Sequence, residues 1–140
     1  VSAPAILLVE DDRDEVKVAL RALDRAGLDV PVAVANDGVE ALELLGLEPE
    51  GELQPTPRVV FLDLKMPRID GWEVLRRIRE DPRTADVPVV VLSSSDRRED
   101  IERSYALGAN SFLLKRFDPR GPGSYLVEAA RYWLDLNCIP

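Results

Sequence analysis

The sequence contains no histidine and a single cysteine, Cys138. Without histidine there is no Ser-His or Cys-His nucleophile pair, no His-ligated zinc and no phosphohistidine carrier. A lone cysteine forms no internal disulfide, so the chain suits a reducing compartment such as the cytoplasm. Long apolar stretches are missing too. Uninterrupted runs such as Val89 to Leu92 are far too short to cross a bilayer, and no membrane association is expected. The opening Val-Ser-Ala-Pro lacks the charged head and apolar stretch of a secretory signal. Positive charge is in deficit: Lys and Arg number 18 against 26 Asp and Glu, a formal net charge of −8. That argues against a sequence-independent grip on nucleic acid. Neither Gly-x-Gly-x-x-Gly nor Gly-x-x-x-x-Gly-Lys-Ser/Thr occurs, which disfavours a dinucleotide or flavin binder.

What is present is a regular alternation of short apolar runs and helical patterns within 140 residues, the size of one domain. Ile6 to Val9, Val32 to Ala35, Val59 to Leu62, Val89 to Leu92 and Ser111 to Leu114 read as strands. Between them, Val16, Ala19, Leu20 and Leu23 fall at helical spacing, with Gly27 closing that helix. Further helices are expected from about Gly38 to Leu45, around Val74, Leu75 and Ile78, and from about Arg97 to Leu107 with Gly108 as the stop. Leu126, Ala129, Ala130 and Trp133 mark the buried stripe of a fifth. A Pro/Gly-rich loop, Gly46 to Arg58 with Pro49, Pro55 and Pro57, reads as an insertion and not a domain linker. Five βα units with near-continuous apolar strands imply an α/β fold, a doubly wound five-stranded parallel sheet covered by helices on both faces.

In such a fold ligands sit beyond the carboxyl ends of the strands. The first strand is followed by Glu10-Asp11-Asp12, the third ends in Asp63, the fourth in Ser93 and the fifth in Lys115. These points converge on one edge, gathering carboxylates, a hydroxyl and an ammonium. Packed carboxylates repel and raise one another's pKa, a conflict that a hard divalent cation such as Mg²⁺ relieves. Such a set suits phosphoryl transfer to a carboxylate. Taken singly, each residue has a plainer reading: an acid after a strand caps the next helix, as Asp12 or Asp14 is expected to do, and Ser93 and Lys115 would be surface groups. The joint arrangement favours the chemical reading.

Leu8-Val9-Glu10-Asp11-Asp12, Leu62-Asp63-Leu64-Lys65-Met66-Pro67 with Asp70-Gly71, Leu92-Ser93-Ser94 and Leu114-Lys115 together resemble the CheY-like response-regulator receiver family. The resemblance spans Ile6 to Leu136 and implies the flavodoxin-like strand order 2-1-3-4-5. It implies Asp63 as the phosphoacceptor and as a Mg²⁺ ligand, beside Asp11 as a direct ligand and Glu10 acting through water. The backbone carbonyl of Lys65 would complete the protein's share of the coordination. Ser93 would hydrogen-bond the phosphoryl group, Lys115 would pair with it, and Phe112 falls at the family's switch aromatic. From the residues alone, Phe112 reads equally as a core aromatic on a sheet strand. Trp72 and Trp133 read as packing or interface residues.

Three departures stand out. The family places a cis proline after the conserved lysine, whereas Arg116 follows Lys115 here, leaving that peptide cis or trans. The acidic pair is Glu-Asp, and Ser93 stands where Thr is commoner. Lys65 and Ser95, two residues beyond Asp63 and Ser93, imply slow self-dephosphorylation, since Lys65 crowds an attacking water and Ser95 brings no carboxylate or amide to orient it.

No output domain follows the fifth helix, so a stand-alone receiver over 1–140 is expected. The long loop, Ser104-Tyr105 and the Trp-Leu ending are similar to the single-domain regulators paired with bacterial phytochrome kinases. That similarity implies a light-sensing histidine kinase as donor and a homodimer built on the fourth and fifth helices with the apolar tail. The alternative is that Trp133, Leu134 and Ile139 cover the monomer's own core. The downstream target is not named by the sequence. Two rival functions differ in chemistry. A pseudo-receiver would be a pure interaction module. An aspartate-nucleophile phosphatase would need a second Asp two residues after the nucleophile, where Lys65 stands.

Overall fold

Five parallel strands occupy the centre of the molecule, and their apolar residues alternate between two helix-covered faces. The computed structural model describes residues 4–48, 54–116 and 118–138; Pro49 of the long loop and Ile139 of the tail lie outside them. The strands are β1 (Ile6–Val9), β2 (Val32–Ala35), β3 (Val59–Asp63), β4 (Val89–Ser93) and β5 (Ser111–Leu114). They pair in the order β2-β1-β3-β4-β5. The helices are α1 (Arg13–Arg25), α2 (Gly38–Leu44), α3 (Gly71–Glu80), α4 (Arg98–Ala106) and α5 (Ser124–Arg131). The doubly wound α/β fold read from the sequence is the fold observed. Among the described residues no helix is long and apolar enough to cross a membrane.

Successive strand residues point to opposite faces, and the core divides accordingly. Leu7, Val9, Val60, Leu62, Val89 and Val91 pack with Ala41 and Leu42 of α2 and Val74, Leu75 and Ile78 of α3. Ile6, Leu8, Val59, Phe61, Val90 and Leu92 pack with Ala19, Ala22 and Leu23 of α1 and Leu126, Val127 and Ala130 of α5. The central strands β1, β3 and β4 are buried throughout, while β5, at one edge, is only half buried. The fourth helix is held differently, for its one fully buried residue is Ser104.

Two expected apolar stripes are displaced. On α1, Leu20 is exposed and Ala22 is buried in its place. So many positions from Val16 to Leu23 are apolar that several faces satisfy a helical period. Beyond α5, the chain continues as a wider π turn, Tyr132–Leu136. The change of winding moves the inward position from Trp133, which is half buried, to Leu134, which is buried. Val127 replaces Ala129 on the same stripe.

Side-chain caps fix where the helices start. Asp12, not Asp14, caps α1, its Oδ1 accepting from the N–H of Asp14 at 2.9 Å and of Glu15 at 3.3 Å. Asp37 and Asp70 cap α2 and α3 through the N–H of Glu40 and Glu73. The near part of the long loop is tied to the α3 side: Arg77 donates to the carbonyl of Leu47 and Arg83 to that of Gly46.

Gly71 opens α3 directly against the end of β3. A Cβ there would lie 2.3 Å from the carbonyl oxygen of Asp63 and 2.7 Å from the Cα of Leu64, both backbone atoms with little freedom to move. Gly27 follows α1 at φ 73°, with nothing within 4 Å of its Cβ position. Gly71→Ala should therefore cost roughly 2–3 kcal/mol through overpacking, and Gly27→Ala about 1 kcal/mol through left-handed backbone alone. Urea unfolding of the two variants beside the wild type checks both the size and the order of these losses.

Candidate functional site

The register of the sheet carries the polar residues to one edge. Glu10 directly follows β1, and its N–H continues the pairing by donating to the carbonyl of Ala35 at 3.0 Å. Asp63 and Ser93 are the last residues of β3 and β4, paired with Leu92 and Leu114. Lys115 follows β5, its N–H donating to the carbonyl of Ser93 at 2.8 Å. Pairing thus runs one residue beyond the apolar stretches, which is why Glu10, Asp63 and Ser93 are buried although polar.

The Lys115 ammonium is the hub. Its Nζ lies 2.5 Å from Glu10 Oε1, 2.5 Å from Glu15 Oε2 and 3.5 Å from Asp63 Oδ1. Carboxylate oxygens of Glu10, Asp11 and Asp63 lie within 4.8 Å of one another, with Asp11 the exposed member. Glu10 Oε2 also accepts the N–H of Asp12 at 3.2 Å. A cavity of about 330 Å³ opens beside this cluster, lined in part by Glu10, Glu15, Lys115, Leu92 and Tyr125.

Ser93 connects the site to the next helix. Its Oγ accepts the N–H of Ser95 at 3.0 Å, and Ser95 Oγ donates to Asp100 Oδ2 at 2.7 Å. One turn on, Ser104 Oγ donates to the carbonyl of Asp100 at 2.8 Å and accepts from Trp72 Nε1 at 3.3 Å. The Arg103 guanidinium stands 4.2 Å from the centre of the Trp72 ring. Phe112 is half buried, packed against the α2–α3 side of the core. The Lys115–Arg116 peptide is trans, so the cis geometry usual in the family is not present here.

Burial pushes the Glu10 carboxyl up to about 9, with its hydrogen bond to Glu15 and the charge of Asp63 adding to the effect against the pull of Lys115. Asp63 is also raised, by burial, against the opposing influence of Lys115, Glu10 and the Lys65 N–H. Glu15 is lowered, first by its hydrogen bond with Glu10 and then by Lys115. Burial alone would lower Lys115, but the ion pairs with Glu10 and Glu15 outweigh it and raise the group. Burial is thus the first reason the Glu10 carboxyl holds its proton, and the crowding of carboxylates beyond what one ammonium balances adds to it. Three hard oxygen donors in one cluster, starved of positive charge, fit a divalent cation.

Asp11, Asp63, Glu10 and Lys115 are brought together as their strand-end positions imply. Ser93 ends the neighbouring strand, and Lys65 lies exposed on the loop after β3. Glu15 was not foreseen. Its only signal was an acid in the first turn of α1, which reads as an ordinary complement to the helix dipole.

The raised Glu10 carboxyl has a consequence for stability. Between the ordinary value of 4.5 and about 9 the unfolded chain has released this proton while the folded chain retains it. Stability of the metal-free protein then falls as pH rises across that window, and the raised Asp63 acts in the same direction. Urea midpoints measured along this pH range should decline, and Glu10→Gln should flatten the decline. An unchanged slope in that variant would show that Glu10 titrates normally.

Comparison with known proteins agrees with the geometry. The response regulator receiver domain family matches residues 6–121. A probable methanogenesis regulatory protein, FilR2 of Methanothrix harundinacea, is 38% identical over 96% of this chain and 86% of its own length. Response regulator Rcp1 of Synechocystis sp. is 32% identical over 96% of this chain and 92% of its own. The Mn²⁺-bound structure of Rcp1 superposes with a TM-score of 0.85 at 31% identity, covering 99% of both chains. The phosphorylated cyanobacterial phytochrome response regulator RcpA gives 0.87 at 32% identity, again over 99% of both. With its sheet order, its strand-end residues and these likenesses in accord, the chain belongs to the response regulator receiver domain family.

Proposed function

We propose that Asp63 accepts a phosphoryl group from a sensor histidine kinase in a Mg²⁺-dependent reaction, and that the resulting change is read on the surface formed by α4, β5 and α5. The observation that carries this reading is the convergence of Asp63 and Lys115, 3.5 Å apart, with Glu10 and Asp11 at the same sheet edge. Glu10, Asp11 and Asp63, with the backbone carbonyl of Lys65, would hold the Mg²⁺. Bound there, the ion supplies positive charge to the phosphoryl oxygens and lets all three carboxyls ionise.

The remaining work falls to the chain. A carboxylate oxygen of Asp63 attacks the phosphorus in line while the bond to the donor's histidine nitrogen breaks, giving an acyl phosphate. Lys115 pairs with the phosphoryl group and Ser93 hydrogen-bonds it. Phosphorylation adds roughly one unit of negative charge near neutral pH. Drawing Ser93 inwards disturbs its bond to Ser95, and through Ser95 the contact with Asp100 on α4. Phe112 then fills the space that Ser93 leaves. The outcome is a shift between populations, as large as the difference in contacts between the two states.

The likeness to the phytochrome response regulator RcpA over 99% of both chains supports a bacterial phytochrome histidine kinase as the donor and action as a single receiver unit, and the lone cysteine suits the cytoplasm. Incubation with acetyl phosphate should add one phosphoryl group, read by intact mass, that requires both Mg²⁺ and Asp63 and is absent in Asp63→Asn. Ser95 Oγ is occupied by Asp100, so nothing at that position orients an attacking water, and the adduct should persist for hours. Decay within seconds would refute the slow hydrolysis. Failure to form any adduct, from acetyl phosphate or from a kinase, would favour a pure interaction module.

The downstream partner is a protein that reads the α4–β5–α5 surface, which here leaves large side chains uncovered. Tyr105 on α4 and Tyr132 and Leu136 beyond α5 are exposed, Leu136 by 74%. These exposed side chains on α4 and after α5 fit a homodimer. Light scattering should give twice the monomer mass and fall to the monomer in Leu136→Asp; a monomer at every concentration would remove the dimer.

A further inference from the structure

We propose that Glu15 is a resting-state counter-anchor, holding Lys115 against the demand of an incoming phosphoryl group and so lowering the affinity of the site for it. This rests on the receiver reading given above. An ammonium has three donors, and two of those on Lys115 are directed to Glu10 and Glu15 at 2.5 Å, with Asp63 at 3.5 Å. One donor is left facing Asp63, so a phosphoryl group there shares the ammonium with two close carboxylates and gains a fuller hold on it when one of them yields.

The surroundings decide which partner yields. Glu10 is buried, its side chain 4% exposed, and is further fixed by the N–H of Asp12. Glu15 has 46% of its side chain exposed, so water replaces the ammonium readily once the pair opens. Its backbone is fixed all the same, because the Asp12 cap accepts the Glu15 N–H. The carboxylate is thus held within reach of Lys115 in the resting state and is free to be hydrated in the other. It is not among the three clustered carboxylates Glu10, Asp11 and Asp63, so its part is played on Lys115. A second effect has the same sign: a carboxylate beside the ammonium repels a group that carries additional negative charge. Glu15 is a positioning residue, and its removal favours the phosphoryl-bound state through both effects.

Beryllofluoride, a non-covalent stand-in for the phosphoryl group, tests this with Mg²⁺ in calorimetry. Glu15→Gln should bind it more tightly, on the order of fivefold, and the gain should shrink as salt is raised. Asp14→Asn, which removes a charge from the same turn without touching Lys115, should leave the affinity unchanged. In the Mg²⁺-free proteins, the ¹⁵N resonance of the Lys115 ammonium should shift in Glu15→Gln and not in Asp14→Asn. Equal or weaker binding by Glu15→Gln, or an equal gain in Asp14→Asn, would overturn the proposal while leaving the receiver reading intact. Failure of the wild type to bind, or equal binding by Asp63→Asn, would instead overturn the receiver reading and this inference with it.

Discussion

A half-buried ammonium surrounded by more carboxylates than it can neutralise is the constraint on which the site turns. Parallel strands force it: each strand of the sheet delivers its terminal residue to the same edge, and β1, β3 and β5 deliver or adjoin Glu10, Asp63 and Lys115. Burial, with more acids at the edge than Lys115 can serve, raises the Glu10 carboxyl, and burial raises Asp63 against the pull of Lys115. An arrangement short of positive charge is one whose balance shifts when a cation or an anion arrives.

Much of this was legible in the sequence, for identifiable reasons. The central strands are buried on both faces, so their apolar runs are short, continuous and bounded, and the residues after them are easily named. Asp63, Ser93 and Lys115 were found that way. Spacing alone admits both Asp12 and Asp14 as the cap of α1, because it does not reveal which backbone adopts the extended conformation; the structure assigns Asp12. The α1 stripe was misplaced at Leu20 because too many neighbours are apolar. At the other end, the change to π winding after Arg131 breaks the helical period that would carry Trp133 inward.

Glu15 escaped for a different reason. Its partner Lys115 lies a hundred residues away in the chain, and the contact exists only because the sheet places β5 and the start of α1 at the same edge. Residues that act by ending a strand announce themselves in one dimension. Those that act by leaning across from a neighbouring helix do so only in three.

The attachment of α4 has a consequence of its own. Its fully buried residue is a serine, and the contacts from Ser93 through Ser95 and Asp100 to Ser104 and Trp72 are hydrogen bonds. A helix held in this manner can move while uncovering little apolar surface. Heat-capacity changes follow apolar exposure, so such a movement carries almost none. The enthalpy of such a shift of α4 would then hardly change with temperature, so its balance would follow a straight van't Hoff line, free of the curvature that apolar burial imposes on folding.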